Sequence, residues 1–559
     1  MQSLKRPWLL LAVWCGVITA VLYSPALTLP FFFDDLDHFP YIATHTLPDL
    51  WQSTGGFPYY RPFPGTIWWA TYHLLGQHNP LLHHALNLLL HAANGWLVGW
   101  IATRLTPPTN PKQAIGWVAA TLYLAFPFSY QAVAWVGAVY HLWATFLVLA
   151  ALFAHIQYQQ RQQIGWLLLA LGAVGLAPFA HENGLIAPIV LIGYSLLQRA
   201  WQWWMVGYMV PWGVWAWLWS LVTQNDTAAS TSLNHTEAIW QNSAYFAQGF
   251  AYPFTWVGGW LRDNWGWNDL GTAVGLTLLA ILLLTIATAP RLPKLVGAGI
   301  LFYGLAALPA LLLLDFAYVI SAPRLLLMPS VGAALVWAGA GGWVWAQRGR
   351  WGQAAVLLLL LITLAQNGEF IRRHLSQHTL LGEAWWQATQ LTTAAQQTQQ
   401  TPVFINFPTH ITAPTTTYAL GHEGTVFMVP YIFPLRIVQV NGAMQGEPIF
   451  RAYEDTRPAM PYFYDVLGMG EDWPAILATH QAAVVYNTHY TAESITVVPV
   501  GEIGPTQPHE TGLMRTADGQ LTLLDAQFSQ LDEQTWQLKM VWQATPPAVG
   551  DDNFRPYHR

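Results

Sequence analysis

Residues 8–37 read WLLLAVWCGVITAVLYSPALTLPFFFDDLD. The run from Trp8 to Pro30 has no charged side chain and is long enough to cross a bilayer as a helix. Carboxylates then follow at Asp34, Asp35 and Asp37. A carboxylate beside hydrocarbon is unfavourable, so by default it marks a functional site. The stretch therefore predicts a membrane span that leads directly into a site at the membrane surface.

The composition places the whole chain in the membrane class. Hydrophobic residues make up 54% of the 559 residues and charged residues only 9%, against roughly 25% in soluble proteins. The chain has 32 Trp, and aromatic residues concentrate at membrane interfaces. Cys15 is the only cysteine, which excludes an intrachain disulfide and a cysteine metal cluster. We expect an α-helical polytopic membrane protein with the lipid bilayer as a partner.

Apolar runs of spanning length recur along the chain. The first follows Lys5 and Arg6 but has no clear cleavage site, so we interpret it as an uncleaved span. Eleven membrane helices are predicted, near 8–29, 83–103, 114–130, 132–157, 164–180, 184–198, 201–222, 270–289, 295–314, 325–346 and 352–366.

The charges assign a side to each loop. If the N-terminus is cytoplasmic, no acid falls on the inner side, and all eleven acids of residues 1–370 fall outside. The inner loops then hold Lys5, Arg6, Arg104, Lys112, Arg161, Arg199, Arg291, Lys294, Arg348 and Arg350. This is the positive-inside pattern. It predicts an integral protein of a plasma membrane, bacterial in our interpretation, with the C-terminus outside.

Three arginines break this pattern, because Arg61, Arg262 and Arg324 fall on the outer side. Binding a phosphate is one reason to place an arginine there. For Arg324, contact with lipid headgroups or a salt bridge to Asp315 are simpler alternatives. Neither part of the chain is basic enough to predict a nucleic-acid partner, since residues 1–370 carry 13 basic and 11 acidic residues and the rest carry 9 and 17.

The chain divides into a transmembrane domain (1–370), a polar connecting helix (371–400) and an acidic, β-rich domain (401–559). The first outer loop is predicted to hold two short helices, Leu47–Ser53 and Phe63–Leu75, and an interfacial helix is predicted near 238–261. Strands are predicted in the tail at Pro402–Phe407, Thr425–Ile432, Ala482–Tyr486, Ile495–Val500 and Trp536–Gln543.

Polar residues recur at helical spacing in one predicted span: His84, Asn87, His91 and Asn94. This spacing places them on one face, directed into a cavity or toward neighbouring helices. A role in lining a substrate cavity and a role in hydrogen bonding between helices are both open. Glu182, beside His181 at the outer end of another span, is the only acid between Asp49 and Asp226. A functional role and helix capping are the alternatives for this residue.

These residues together fit one chemistry. A carboxylate on the outer face can take the proton of an acceptor hydroxyl. An arginine can neutralise a departing phosphate. The membrane holds a lipid-linked donor close to both groups.

The order of motifs resembles the GT-C membrane glycosyltransferases, and within them the O-mannosyltransferases that carry tetratricopeptide repeats. The similarity covers roughly residues 8–346. The matching segments are Asp34-Asp35, Tyr60-Arg61-Pro62, His84-x-x-Asn87-x-x-x-His91, Pro127-Phe-Ser-Tyr-Gln131-Ala-Val-Ala-Trp135, His181-Glu182 and Arg324-Leu-Leu-Leu-Met-Pro329-Ser330. Gln131 stands where the family has Glu, His181 stands where it has Lys, and a β-rich tail replaces the repeats.

The resemblance implies an inverting transfer of a sugar from a polyprenyl-phosphate donor to a hydroxyl acceptor on a protein, glycolipid or cell-surface glycan. Asp34 is then the catalytic base, and Asp35 and Glu182 position the acceptor. Arg324 binds the donor phosphate with Arg61, and His181 contributes in a way that depends on pH. No cofactor is implied with certainty, although some relatives need a divalent metal.

Two other functions fit the membrane class. A transporter or flippase of lipid-linked glycans would carry ionisable residues near the middle of the membrane and an inverted repeat. The acids here cluster at one face instead, and the sequence shows no such repeat. A membrane-anchored binding protein would use only its tail, with its polar motifs holding helices together.

Overall fold

The computed structural model describes most of the chain. The described residues are 6–76, 78–107, 112–222, 236–289, 292–412, 415–427, 440–441, 449–451, 463–466, 482–491, 493–503, 514–515, 521–530 and 536–544. Part of the predicted strand Thr425–Ile432 and part of the tail lie outside these ranges.

Helices dominate the part before residue 400. The α-helices are α1 (Arg6–Tyr23), α2 (Asp35–Thr44), α3 (Leu47–Gln52), α4 (Pro62–Leu75), α5 (Pro80–Leu105), α6 (Lys112–Leu124), α7 (Ser129–Ala134), α8 (Val139–Arg161), α9 (Ile164–Ala180), α10 (Ala187–Leu197), α11 (Val210–Val222), α12 (Thr236–Phe250), α13 (Tyr252–Thr255), α14 (Val257–Trp265), α15 (Asp269–Thr288), α16 (Lys294–Leu313), α17 (Phe316–Ser321), α18 (Leu327–Gln347) and α19 (Gly349–Gln397). Short 3₁₀ helices are Ser24–Thr28, Val136–Ala138, Glu182–Ile186, Trp203–Met209 and Pro323–Leu326. The two short helices expected in the first loop correspond to α3 and α4.

A helical membrane protein is confirmed, but with fewer long spans than predicted. Within the described residues, eight helices are long and apolar enough to cross a membrane: Pro7–Thr28, Pro80–Leu105, Val136–Arg161, Trp203–Val222, Asp269–Thr288, Lys294–Leu313, Pro323–Gln347 and Gly349–Gln397. The spans predicted at 114–130, 164–180 and 184–198 correspond to α6, α9 and α10, of 13, 17 and 11 residues. At about 1.5 Å per residue, α6 and α10 are shorter than the roughly 30 Å hydrocarbon layer.

Proline explains why α6 is shorter than predicted. α6 ends at Leu124, just before Phe126-Pro127, and a residue that precedes proline is disfavoured in helical conformation. The predicted interfacial helix at 238–261 is likewise divided into α12, α13 and α14, with Pro253 in the short middle helix. In the opposite direction, the last predicted span and the predicted connecting helix form one 49-residue helix, α19.

The chain forms two compact units whose limits differ from the predicted domains. The first unit comprises Met1–Leu29, His38–Ser376 and Thr415–Glu423, and the second comprises Pro30–Asp37, Gln377–Pro414 and Gly424–Arg559. The acidic segment Asp34–Asp37 therefore belongs to the unit that also holds the strands. Residues 415–423, assigned from sequence to the tail, belong to the helical unit.

Small residues allow close helix packing in the first unit. A Cβ atom on Gly99 of α5 would lie 2.8 Å from the Gly116 carbonyl oxygen of α6, and one on Gly116 would lie 2.6 Å from that of Gly99. Side chains at either position would force the two backbones apart. Such small-residue contacts supply the van der Waals packing that joins helices in lipid.

The second unit contains the strands. They are β1 (Thr401–Ile405), β2 (Pro408–Thr412), β3 (Gly424–Val426), β4 (Ile449–Arg451), β5 (Phe463–Val466), β6 (Ala483–Tyr490), β7 (Ile495–Ile503), β8 (Met514–Arg515), β9 (Leu521–Gln530) and β10 (Trp536–Ala544). One sheet has the order β4-β1-β6-β7, in which β1 is parallel to β4 and β6. Two three-stranded antiparallel sheets have the orders β10-β9-β8 and β3-β2-β5. Phe404, Phe407 and Phe450 pack with Trp385 in the core of this unit.

Candidate functional site

An ion pair joins two of the predicted site residues in the first unit. Arg61 lies in the turn before Pro62 starts α4, and Glu182 starts a 3₁₀ helix after α9. The Arg61 Nη2 donates to Glu182 Oε2 at 2.7 Å and its Nε donates to the same oxygen at 3.1 Å. The two side chains are only 17% and 34% exposed. The arginine predicted to bind phosphate is thus already paired with a carboxylate.

The environment keeps Arg61 charged. Burial acts to lower the pKa of Arg61, but Glu182 and the phenol groups of Tyr59 and Tyr140 raise it above its usual value. The guanidinium carbon lies 4.3 Å from the centre of the Tyr59 ring and 5.2 Å from that of Tyr140. These cation–π contacts fix the plane of the guanidinium group.

Local backbone packing places Glu182. α9 ends at Ala180 and His181 is extended, which turns the chain into the following 3₁₀ helix. A Cβ atom on Gly184 would lie 2.3 Å from the Ala177 carbonyl carbon, so the turn closes tightly against α9. The Asn183 N–H donates to His181 Nδ1 at 3.1 Å, which makes Nδ1 an acceptor. His181 therefore carries its proton on Nε2 when neutral.

His181 is a neutral group at physiological pH. Its ring packs on His141 with a centroid distance of 4.2 Å. Burial, together with the positive charges of Arg61 and Arg324, lowers the pKa of His181 well below its usual value. This environment favours the neutral imidazole, and a pH-dependent contribution of His181 to phosphate binding stays a prediction of the resemblance. What His181 offers an anion is the neutral Nε2–H donor.

This pKa shift predicts a pH dependence of stability. An unfolded histidine takes up a proton near pH 6.5, whereas folded His181 takes one up only at lower pH. Stability is therefore lost as pH falls below about 6.5. We expect His181→Gln to reduce this loss by about 1.4 kcal/mol per pH unit, measured as the free energy of chemical unfolding in detergent between pH 7.5 and 5. His73→Gln, at an exposed position of α4, is the control. An unchanged acid slope in His181→Gln would contradict the buried neutral histidine.

Arg324 has a different set of partners. Its Nη1 donates to Gln131 Oε1 at 2.9 Å and its Nη2 donates to the Tyr318 hydroxyl at 2.8 Å. The guanidinium carbon lies 4.8 Å from the centre of the Trp135 ring. In the part of the chain that the structure describes, Arg324 forms no ion pair, so Asp315 is not its salt-bridge partner. Its positive charge is oriented by neutral groups.

Arg61 and Arg324 belong to one patch of the first unit. The charges of both arginines act on His181. Residues 131–140 connect their surroundings, because Gln131 and Trp135 contact Arg324 while Tyr140 contacts Arg61. The negative charge of Glu182 compensates that of Arg61, and His181 is neutral. Among these four residues, the positive charge of Arg324 is therefore uncompensated.

The polar stripe of α5 joins helices. All four side chains are at most 1% exposed. His84 Nε2 donates to the Leu29 carbonyl at 3.1 Å, and His91 Nε2 donates to that of Leu124 at 3.3 Å. Asn87 donates to the Val133 and Trp135 carbonyls, and Asn94 donates to that of Leu142. These bonds connect α5 to neighbouring segments. Hydrogen bonding between helices is one of the two roles that the sequence left open for these residues, the other being to line a substrate cavity. Asn87 also holds the backbone at Trp135, below Arg324.

The acidic segment is described with the second unit. Asp35 is completely buried, and its Oδ2 accepts the Phe32 N–H at 3.2 Å. The Phe33 N–H donates to the Phe427 carbonyl at 2.8 Å, and the Phe32 ring stacks on that of Phe427 at 4.2 Å. Asp34 is partly exposed. Of the two predicted catalytic aspartates, Asp35 therefore shapes the loop, whereas part of the surface of Asp34 stays exposed.

The backbone next to Asp34 is strained. Phe33 has φ 55°, in the left-handed region that residues with a Cβ atom rarely occupy. Such a conformation costs of order 1–3 kcal/mol and clusters at functional sites. A second contact fixes the segment, since Phe31 N–H donates to Asn441 Oδ1 at 2.7 Å and Asn441 Nδ2 donates to the Phe31 carbonyl at 2.9 Å. The loop around Asp34 is thus held in one conformation.

Metal binding receives no geometric support from the described residues. Within them, no group of three or more His, Cys, Asp or Glu side chains lies close enough to hold a metal ion. Dependence on a divalent metal stays a prediction of the resemblance.

Several residues of the patch were not singled out from the sequence. Tyr59, Tyr140 and His141 carried no motif, and Trp135 and Gln131 were quoted without a role. Tyr318 lies six residues before Arg324, in a separate short helix. Tyr59 and Tyr318 lie two and six positions before Arg61 and Arg324, so an aromatic residue close to an outer arginine is a local signal for these two. The other residues of the patch are distant from both arginines in sequence, and no local signal pointed to them.

In comparisons with known proteins, no family model and no curated protein sequence matches this chain. The functional argument therefore depends on the residues and contacts described above.

Proposed function

We propose that this protein is a membrane glycosyltransferase of the GT-C type that moves a sugar from a polyprenyl-phosphate donor to an acceptor hydroxyl, with inversion at the anomeric carbon. The observation that carries the proposal is Arg324. Its guanidinium group is partly exposed, is held by Gln131 and Tyr318, and forms no ion pair with any described residue. A cation oriented by neutral groups beside a membrane suits a lipid-linked phosphate.

The reaction assigns a task to each charged group. The acceptor oxygen attacks the anomeric carbon, and its proton passes to a carboxylate base, the role that the resemblance gives to Asp34. The bond between the anomeric carbon and the phosphate oxygen breaks, and the electron pair leaves with the polyprenyl phosphate. Arg324 stabilises the negative charge that grows on this leaving group.

Arg61 and Glu182 then act as a positioned pair rather than as independent groups. The second Glu182 oxygen, Oε1, accepts a longer hydrogen bond from Arg61 Nε at 3.3 Å and can also accept from an acceptor hydroxyl, because each carboxylate oxygen has two lone pairs. Arg61 has a further Nη1 that can donate to a substrate oxygen. His181, neutral, donates from Nε2. Tyr59, Tyr140 and Trp135 add aromatic faces against which the apolar side of a sugar ring packs.

The charge pattern of the loops supports an orientation. With the N-terminus in the cytoplasm, Asp34, Arg61, Glu182 and Arg324 all fall in outer loops or at outer helix ends. We place the active site and the C-terminal β-rich domain outside the plasma membrane. There the donor is carried by the bilayer and the acceptor is a protein, glycolipid or cell-surface glycan.

Binding of the leaving group tests the proposal without knowledge of the sugar or acceptor. We expect the purified full chain to bind a polyprenyl phosphate and Arg324→Gln to weaken this binding by roughly 10–100-fold, because one charged hydrogen-bonding group is lost. The corresponding polyprenol, which lacks the phosphate, should bind both proteins equally. Dissociation constants are measured by isothermal titration in detergent micelles.

Arg372→Gln is the matched control. Arg372 is 72% exposed and pairs with Glu369 on the same helix. If Arg324→Gln bound polyprenyl phosphate as tightly as the wild type, Arg324 would not be the phosphate ligand. If Arg372→Gln weakened binding equally, the effect would be one of net charge.

A further inference from the structure

An apolar groove opens on the first unit away from the patch of Arg61 and Arg324. It lies between α5, α8, α10, α16 and α18 and is a shallow groove that is open along one side. Its lining includes Ile101, Leu105, Tyr194, Leu301, Leu305 and Leu335. Aliphatic walls of this kind accept a hydrocarbon chain.

Positive charges collect at one end of this groove. Arg104 lies in the last turn of α5, beside the lining residue Leu105, and Arg161 ends α8. Lys294 starts α16, one turn before the lining residue Ala298. Arg104 lies within electrostatic range of Arg161 and of the lining residue Tyr194. The two arginines therefore face the same end of the groove.

The two guanidinium groups are exposed and oriented. Arg104 stacks over Trp100 at 4.9 Å and Arg161 over Trp166 at 5.8 Å, measured to the ring centroids. Stacking one face of a guanidinium group on a ring leaves its N–H edge for an anion. Trp203, 83% exposed in the neighbouring 3₁₀ helix, is typical of the level of lipid headgroups.

Among the described residues, no carboxylate compensates these charges. The described segments that build this end of the unit, residues 98–107, 112–125, 150–165, 190–205 and 292–305, contain no Asp or Glu. The negative ends of the α5 and α8 dipoles account for a basic residue at each helix terminus, but not for two arginines that repel each other at the mouth of an apolar groove. A phosphate between them would remove this repulsion.

We infer that the groove is a binding site for an anionic phospholipid, with one acyl chain along the groove and the headgroup phosphate between Arg104 and Arg161. This site is separate from the proposed transfer reaction and does not depend on it. A lipid is favoured over a free anion because the cationic end continues into an apolar groove, which a free anion would leave empty.

Native mass spectrometry of the full chain in detergent tests the site. Phosphatidylglycerol and phosphatidylcholine with identical acyl chains are titrated separately, and inorganic phosphate serves as the free-anion probe. We expect wild-type protein to prefer phosphatidylglycerol by roughly thirtyfold, as two arginines near an anionic headgroup imply. The double variant Arg104→Gln/Arg161→Gln should bind the two lipids about equally, while Arg350→Gln, an exposed arginine that stacks on Trp351 at the start of α19, should keep the preference.

A second variant tests the groove itself. Ala298→Phe fills the groove from a half-buried position and leaves both arginines in place, so it should weaken phosphatidylglycerol binding at least tenfold. Unchanged binding in Ala298→Phe, or a preference that survives in the double variant, would overturn the site. Competition by inorganic phosphate at the concentration of the lipid would assign the arginines to a free anion and overturn the lipid.

Discussion

Replacing Asp34 by asparagine is expected to slow sugar transfer by about 10²–10⁴-fold, the usual contribution of a positioned general base. The amide keeps the size of the side chain and removes its ability to take a proton. Polyprenyl phosphate binding should remain at the wild-type level, since the phosphate contact is assigned to Arg324. We therefore expect the substitution to lower the rate constant of the chemical step and to leave the dissociation constant for polyprenyl phosphate unchanged.

The acidic segment supplies the control for this experiment. Asp34 and Asp37 are both partly exposed and lie three positions apart, so Asp37→Asn removes the same charge from the same acidic segment. We expect it to retain transfer. Asp35→Asn is a different experiment, because the buried Asp35 carboxylate accepts the Phe32 N–H and its replacement disturbs the loop itself.

The assay uses full-chain protein in liposomes with a panel of polyprenyl-phosphate sugars and follows release of polyprenyl phosphate. Undiminished release by Asp34→Asn would remove Asp34 as the base. A wild-type protein that binds polyprenyl phosphate but releases none from any sugar donor would favour the transporter or flippase instead. The two outcomes are distinguishable because binding and release are measured separately.

Replacing Glu423 by alanine is expected to destabilise the docking of residues 415–423 by about 3 kcal/mol. Removing one partner of a buried ion pair typically costs about 3–5 kcal/mol, because an uncompensated charge is left behind. We take the lower end because Arg373 is 31% exposed whereas Glu423 is 4% exposed. Water can therefore reach the remaining arginine.

Glu423 holds this segment through several bonds at once. One carboxylate oxygen accepts the backbone N–H groups of Thr417 and Tyr418, at 2.7 and 2.8 Å. The other accepts from Arg373 Nη2, which also donates to the Thr417 hydroxyl. Burial raises the pKa of the Glu423 carboxyl above its usual value, although Arg373 and these amides act to lower it. Arg373 and the two amides thus offset part of the cost of burying this carboxylate.

Hydrogen exchange measures this effect locally. The Leu420 N–H donates to Gln248 Oε1 at 3.1 Å, so it reports whether the segment stays docked without itself bonding to Glu423. A loss of about 3 kcal/mol should speed its exchange roughly a hundredfold. Glu369→Ala removes the exposed ion pair between Glu369 and Arg372 on α19, the helix that also holds Arg373, and should leave the exchange rate of the Leu420 N–H unchanged. Equal protection of Leu420 in wild type and Glu423→Ala would show that the ion pair does not hold the segment.

Much of the fold could be predicted from local sequence patterns. The apolar run at 8–29, the short helices α3 and α4 and the strand segments near 402 and 495 depend on residues within one window of the chain. Helix length was less predictable where proline interrupts an apolar run, as at Pro127, or where nothing interrupts it, as along α19. In both cases hydropathy marks the segment but not its ends.

The candidate site likewise has residues that the sequence predicted and contacts that it did not. Arg61, Glu182 and Arg324 were predicted because each places a charge where hydropathy makes charge unfavourable. Their partners could not be predicted, since Arg61 meets Glu182 across 121 positions and Arg324 meets Gln131 across 193. The stripe of α5 shows the same limit, because its spacing predicts a shared face but not that each side chain reaches a carbonyl of another helix.

The sequence by itself determined the membrane class and the few positions where a charged residue is retained in an apolar setting, and it predicts the side of the membrane on which each loop lies. These follow from transfer free energies and helical periodicity, which depend on composition and local order. Only the tertiary structure decided which charges cancel. It paired Arg61 with Glu182, left Arg324 among neutral groups, kept His181 neutral and buried Asp35 beside a partly exposed Asp34, because electrostatic interactions and burial depend on distances that the chain sets only once it has folded.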